Sequence, residues 1–272
     1  MKLFDSYKPL QQSSSGYVTF CTENYLPIIT NLVTSILTFS KYPLHIFTLN
    51  FDLSVDHDRI SSTRVNTAKE IDFYLICALK LYAAIHSPFR FTVMLDGDMI
   101  ITENADELQD IYCARVANLN HPVFARHPHN SLTDHPRTES LRQVFSFFGA
   151  SIEPIRYLYA SFIFLEHQKW LFGEALEAMS KKRFFGEDEA IVNALIHKYK
   201  LHEADIGFNY LPNASLEILG HYIAGNENIS HEIIETYLAN DCPVKFYLFH
   251  GHLIKNSEIT QEFLRSVAKK RR

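Results

Sequence analysis

The stretch Phe91-Thr92-Val93-Met94-Leu95-Asp96-Gly97-Asp98-Met99-Ile100-Ile101 decides how this chain is read. Its first five residues make the kind of apolar run expected of a strand covered on both faces. Two carboxylates flanking one glycine follow at once, and apolar residues then resume. In a parallel α/β sheet, ligands bind at the carboxyl ends of the strands, so a site is expected here. A continuing strand would point Asp96 and Asp98 to the same face, while Gly97 leaves room for the backbone to turn or for a ligand to approach. Two such acids repel unless a cation sits between them. Hard oxygen donors with open positions suit Mg²⁺ or Mn²⁺, which gather phosphate oxygens in turn. Asp-Gly-Asp is also ordinary turn punctuation. Turns, however, usually separate polar flanks, and both flanks here are apolar.

Working outward from that stretch, strand-like and helix-like segments alternate. Tyr17-Val18-Thr19-Phe20-Cys21 is β-rich, and Ile28, Leu32, Ile36 and Phe39 recur at helical spacing through about residues 25–39. Leu44 to Leu49 reads as a strand. A second helix over about 69–86 puts Ile71, Leu75, Ala78, Tyr82 and Ile85 on one face. Strand, helix, strand, helix, strand is the order of a parallel sheet wound with helices. Beyond Asp98 the pattern loosens. Val116 to Phe124 and Ile155 to Leu165 read as strands, with helices over about 168–181, 188–198 and 230–238 and a last strand at 244–249. His127, His129 and His135, interrupted by Pro128 and Pro136, mark an irregular loop suited to an acceptor rather than to a metal.

Composition bounds the rest. With 272 residues and 47% apolar content, the chain can bury a full core as one compact unit. A net charge of −5 supplies no positive field for phosphate backbones, which argues against nucleic acid as a partner. Cys21, Cys77, Cys113 and Cys242 show neither zinc-finger nor disulfide-scaffold spacing, so a reducing compartment is the simpler reading. Leu26 to Phe39 and Ile71 to Ile85 are broken by polar residues and fall short of a membrane span. With no basic-then-apolar leader at the start, the expected location is cytoplasmic. The final Lys269-Lys270-Arg271-Arg272 could touch an anionic membrane surface, although most such tails are solvated ends. Asn213-Ala214-Ser215 and Asn228-Ile229-Ser230 match glycosylation sequons by pattern only.

Taken in order, several of these segments carry a resemblance. Tyr17 to Cys21 with the turn Thr22-Glu23-Asn24-Tyr25, then Leu95-Asp96-Gly97-Asp98, then Tyr159 to Phe164, and finally Phe249-His250-Gly251 resemble a GT-A glycosyltransferase, with family 8 and its relatives the nearest likeness. The likeness runs over roughly residues 17–255. It implies an α/β, Rossmann-like fold in one compact domain: a mixed, mainly parallel sheet flanked by helices. Residues 1–16 would be an N-terminal extension, 17–110 the nucleotide-binding half, 111–255 the acceptor and sugar half, and 256–272 a C-terminal helix with the basic tail.

The resemblance also implies roles. Asp96 and Asp98 match the DxD motif that binds a divalent cation, usually Mn²⁺, bridging the diphosphate of a sugar nucleotide, and Asp96 would also lie near the ribose. Gly97 falls between them. His250 matches the histidine that completes the metal site, with Gly251 beside it. Thr22, Asn24 and Tyr25 fall where such enzymes hold the nucleoside, typically uridine. Lys80 matches a basic residue reaching the diphosphate or donor sugar, though a lysine laying its stem along an amphipathic helix would look the same. Lys255 resembles the lysine that grips the leaving diphosphate, at a spacing one residue shorter than usual and without the family's Pro-Trp.

A second acidic cluster, Glu187-Asp188-Glu189, opens a predicted helix, where acids also suit the helix dipole. It departs from the Asp-Gln-Asp form of family 8 and resembles the Glu-Asp motif of inverting GT-A enzymes. Asp188, with Glu187 next, is the candidate general base for inversion; under retention it would only position the sugar. The expected activity is transfer of a hexose from a UDP-sugar to a hydroxyl of a glycan, lipid-linked or protein acceptor. The alternatives are a sugar-phosphate nucleotidyltransferase, whose glycine-rich basic loop Thr22 to Tyr25 lacks, and a non-catalytic nucleotide-sugar binder. Nothing in the sequence specifies an oligomeric state.

Overall fold

Ser13–Cys21 (β1) sits near the middle of the main sheet, with parallel neighbours on both sides: Leu44–Leu49 (β2) on one and Phe89–Met94 (β4) on the other. The computed structural model describes residues 3–5, 13–101, 105–126, 138–151, 158–184, 187–201, 205–209, 224, 248–250, 262 and 265. Among these, seven strands form one sheet in the order β3-β2-β1-β4-β7-β6-β8, where β3 is Ile60–Val65, β6 Val123–Arg126, β7 Leu158–Leu165 and β8 Asp205–Asn209. The strands β3, β2, β1 and β4 run parallel. β7 runs antiparallel to both β4 and β6. A separate two-stranded ribbon pairs Met99–Ile101 (β5) with Leu248–His250 (β9).

The central strands are apolar on both faces because both faces are covered. All six residues of β2 are buried. Tyr17 and Cys21 on one face pack with Ile29, Leu32 and Ile36 of the helix Leu26–Phe39 (α1). Val18 on the other face packs with Ala78 and Leu81 of Phe73–Ile85 (α2), and with Leu171 and Ala175 of Trp170–Lys181 (α5). Glu187–Lys198 (α6) joins this second layer. The remaining helices are Ala105–Val116 (α3) and Thr138–Phe147 (α4).

Local chemistry sets the helix ends. Pro27 lies in the first turn of α1, where a missing N–H costs nothing. At its other end the Arg59 guanidinium donates to the carbonyls of Ser40 and Leu37, groups a helix C-terminus leaves without partners. The Asp72 carboxylate accepts from Leu75 N at 2.9 Å and so caps α2. That cap is why α2 begins at Phe73 rather than near 69. Tyr74 to Ala84 is buried almost throughout, because α2 is enclosed by the sheet and by α5 and α6.

Several expectations are corrected. The first strand begins at Ser13, four residues before Tyr17. Of the strand expected at 116–124 only Val123 and Phe124 are strand; Val116 ends α3, and His121-Pro122 precedes β6. The strands β3, β5 and β8 and the helices α3 and α4 were not expected at all. The histidine loop at 127–137, the helix expected over 230–238, residues 244–247, Gly251, Lys255, both sequons and the basic tail lie outside the described residues. No described helix is long and apolar enough to cross a membrane. Cys21, Cys77 and Cys113 are free thiols.

Candidate active site

At the carboxyl end of β4 the chain leaves the main sheet. Leu95 N still donates to Val18 O at 3.0 Å, continuing the ladder with β1 for one residue. Met99 N then donates back to Asp96 O at 3.1 Å, so Asp96 to Asp98 form a tight turn into β5. Of the two conformations the sequence left open, a continuing strand or a turn at Gly97, the chain takes the turn. The turn lies over the backbone of β1. A Cβ at Gly97 would stand 3.1 Å from Phe20 O and 3.9 Å from Thr19 Oγ1, so glycine is needed here for close approach. The Thr19 hydroxyl beneath is fully buried and has no hydrogen-bond partner among the described residues. The ribbon is anchored to α1 where Ile101 N donates to Ser35 Oγ at 3.2 Å.

From the other layer, α2 aims Lys80 into the same place. Its side chain is only 6% exposed, and its ammonium lies 2.6 Å from Asp96 Oδ1 and 3.6 Å from Asp188 Oδ2. The Phe162 ring of β7 stands 5.9 Å from the same nitrogen. Asp188 is held in the first turn of α6, where the Cys77 thiol and its own backbone amide also bond its carboxylate. The position of α6 is fixed by Asn193, whose side chain accepts from Leu158 N at 2.9 Å and donates to Leu158 O at 2.8 Å. One amide side chain thereby locks α6 to the start of β7.

The electrostatics follow from the distances. Burial alone would push the Lys80 ammonium down, but Asp96 and Asp188 outweigh it and hold Lys80 above its ordinary value. Asp188 is raised above the ordinary carboxylate range, first by burial and also by the neighbouring Asp96 charge, against the pull of Lys80. The two directions are compatible. The ammonium is committed to Asp96 by the shorter contact, which leaves Asp188 less compensated for its loss of water.

The other expected residues fall as follows. Thr22 is buried and opens a single 3-10 turn, Glu23–Tyr25, just past β1, with its carbonyl accepting from Tyr25 N at 2.8 Å. Asn24 is exposed and Tyr25 half-buried. These three occupy the same sheet edge as Asp96, because β1 and β4 are parallel neighbours. Glu187 begins α6, next to Asp188. The ribbon register sets His250 opposite Met99, one residue beyond Asp98, although the two are far apart in sequence. Among the described residues no three His, Cys, Asp or Glu side chains form a ready metal cluster. The donor chemistry nevertheless fits a hard dication: two carboxylates on one glycine turn, with a histidine on the strand paired beside it. Sequence reasoning missed Cys77, Asn193 and Thr19. A lone thiol, amide or hydroxyl within an apolar segment was their only signal.

No protein-family model matches this sequence, and no curated protein matches it by sequence. Solved structures do match its fold. The bifunctional glycosyltransferase WbbM, in its apo form, superposes with a TM-score of 0.56 at 14% identity, covering 97% of this chain and 51% of WbbM. The galactosyltransferase LgtC, in complex with donor and acceptor sugar analogues, gives 0.53 at 12% identity over 94% of this chain and 95% of LgtC. An active-site mutant of LgtC gives 0.55 over the same shares. The chain has the GT-A glycosyltransferase fold. It spans about half the length of WbbM and nearly all of LgtC. Within a GT-A fold, the Asp96-Gly97-Asp98 turn and Lys80 lie at the strand-end crevice where open α/β sheets bind ligands.

Proposed function

We propose that this chain is a metal-dependent glycosyltransferase moving a hexose from a UDP-sugar to an acceptor hydroxyl. The observation that carries the reading is the buried meeting of Lys80, Asp96 and Asp188 at the carboxyl end of β4, two residues from a second acid, Asp98. LgtC, which shares the fold, is a galactosyltransferase crystallised with donor and acceptor sugar analogues, and this supports a sugar donor here.

Asp96, Asp98 and His250 are the residues that would hold Mn²⁺ or Mg²⁺. Bound there, the ion would act as a Lewis acid toward the leaving diphosphate. Thr22, Asn24 and Tyr25 bound the nucleoside end of the site from the adjacent strand. Lys80 supplies a positive charge beside the place where the departing diphosphate would gather negative charge, which stabilises the leaving group. The buried surroundings of Lys80 and Asp188 exclude water, so an acceptor hydroxyl competes better with hydrolysis. Asp188 is 7% exposed and already engaged by Lys80 and Cys77, which favours orienting the lysine and the donor sugar over direct proton abstraction from an acceptor. Glu187, one residue earlier at the mouth of α6, and Lys255 beyond β9 complete the proposed set.

Incubation with a panel of UDP-hexoses and Mn²⁺ tests this directly. The expected product without acceptor is slow release of UDP, abolished by a chelator. Release of pyrophosphate would indicate a nucleotidyltransferase, and absence of any turnover across the panel would contradict the proposal.

A further inference from the structure

Lys80 touches an acid that the proposed function assigns to the metal, and that contact raises a question of occupancy. Its ammonium is 2.6 Å from Asp96 and 3.6 Å from Asp188, with the three side chains 6%, 14% and 10% exposed. A buried carboxylate without a counter-charge is strongly destabilising. Asp96 and Asp188 come from different layers, the β4 turn and α6, and the lysine of α2 bridges them. Asp98 lies two residues from Asp96 on the same turn, so Lys80 stands among the acids proposed to hold the ion.

We propose, resting on the metal-dependent reading above, that Lys80 is the place-holder for the dication. Its ammonium holds Asp96 and Asp188 together while the site lacks metal. It then gives up its contact with Asp96 to the ion and turns to the donor diphosphate. The movement of Lys80 thus couples the two binding events. Metal alone must compete with a formed ion pair, so it binds weakly. Metal with a nucleoside diphosphate binds tightly, because the displaced ammonium gains a new anionic partner. The coupling is reciprocal: UDP should sharpen Mn²⁺ binding by the same factor by which Mn²⁺ sharpens UDP binding.

The test titrates Mn²⁺, followed by the electron paramagnetic resonance signal of the free ion, into the wild type and Lys80→Met, each with and without UDP. In the wild type, UDP should tighten Mn²⁺ binding by about tenfold or more. In Lys80→Met, Mn²⁺ alone should bind about tenfold more tightly than in the wild type, and the gain from UDP should shrink. The melting temperature of metal-free Lys80→Met should fall by roughly 10 °C, as expected when one partner of a buried ion pair is removed. Saturating Mn²⁺ should restore most of that fall, and the restoration should vanish in Lys80→Met/Asp98→Asn. A Lys80→Met chain that folds only when refolded with Mn²⁺ and unfolds on chelation supports the proposal equally. It is overturned if Mn²⁺ neither binds Lys80→Met more tightly nor restores its stability while the wild type binds Mn²⁺ with UDP. Failure of the wild type to bind Mn²⁺ even with UDP would overturn the metal-dependent reading itself, and this inference with it.

Discussion

Gly97 illustrates how much of the site rests on single atoms. Its missing side chain lets the Asp96 to Asp98 turn lie on β1, where a Cβ would stand 3.1 Å from the Phe20 carbonyl. Neither that carbonyl nor the turn can yield freely, since β1 is paired on both sides. Gly97→Ala should therefore cost about 1–2 kcal/mol in urea unfolding, and, if the proposed site is right, should weaken UDP-sugar binding more than the stability loss accounts for, because both acids proposed to hold the ion shift with the turn. Wild-type donor affinity in a destabilised Gly97→Ala would show that the turn's position does not matter. The acids themselves were legible in the sequence because a polar triplet between two apolar runs has few structural excuses. Lys80 was visible as a charge interrupting an apolar helix. Its partners were not, since ion pairing between α2, the β4 turn and α6 depends on packing that no local pattern encodes.

The longer buried elements were legible, whereas the three-residue β5 was missed although every residue of it is buried. β2 occupies the residues its apolar run predicts, 44–49, and every one of them is buried. β3 escaped notice because Ser61, Ser62 and Arg64 are exposed at the edge of the sheet, leaving only Ile60 and Val65 buried. α3 was hidden by the acidic and polar residues Asp106, Glu107, Gln109 and Asp110, which give a weak apolar stripe. The β2 and β3 pair also carries a pH-dependent feature. His45 is buried, with Nδ1 2.8 Å from Ser61 Oγ and Nε2 without a partner among the described residues. Burial pushes it from 6.5 down to about 4. The unfolded chain takes up a proton near 6.5 and the folded one only near 4, so His45 leaves stability intact above 6.5 and removes it as the pH falls between those values. The loss should approach about 3 kcal/mol. Urea midpoints measured from pH 7 to pH 4 should show this slope in the wild type and a flatter one in His45→Gln. Equal slopes would place the proton elsewhere.

At the scale of the whole molecule, the strand-helix alternation through β4 announced a wound parallel sheet, and the superposition on LgtC covers nearly the full length of both chains. The second half was less legible because β7 returns antiparallel beside β4, and β6 and β8 beyond it are short. Antiparallel insertion changes which segments become neighbours, and local hydropathy does not record it. The ribbon of β5 and β9 is the clearest case: it joins the residue after Asp98 to a histidine near the other end of the chain.

That long-range pairing makes the central claim open to one direct measurement: Mn²⁺ binding in the presence of UDP by the wild type, Asp98→Asn and His250→Ala. The proposed site predicts saturable binding of one ion by the wild type and loss of about tenfold or more in affinity for each variant, with each still folded by circular dichroism. Unchanged Mn²⁺ affinity in both variants would contradict it.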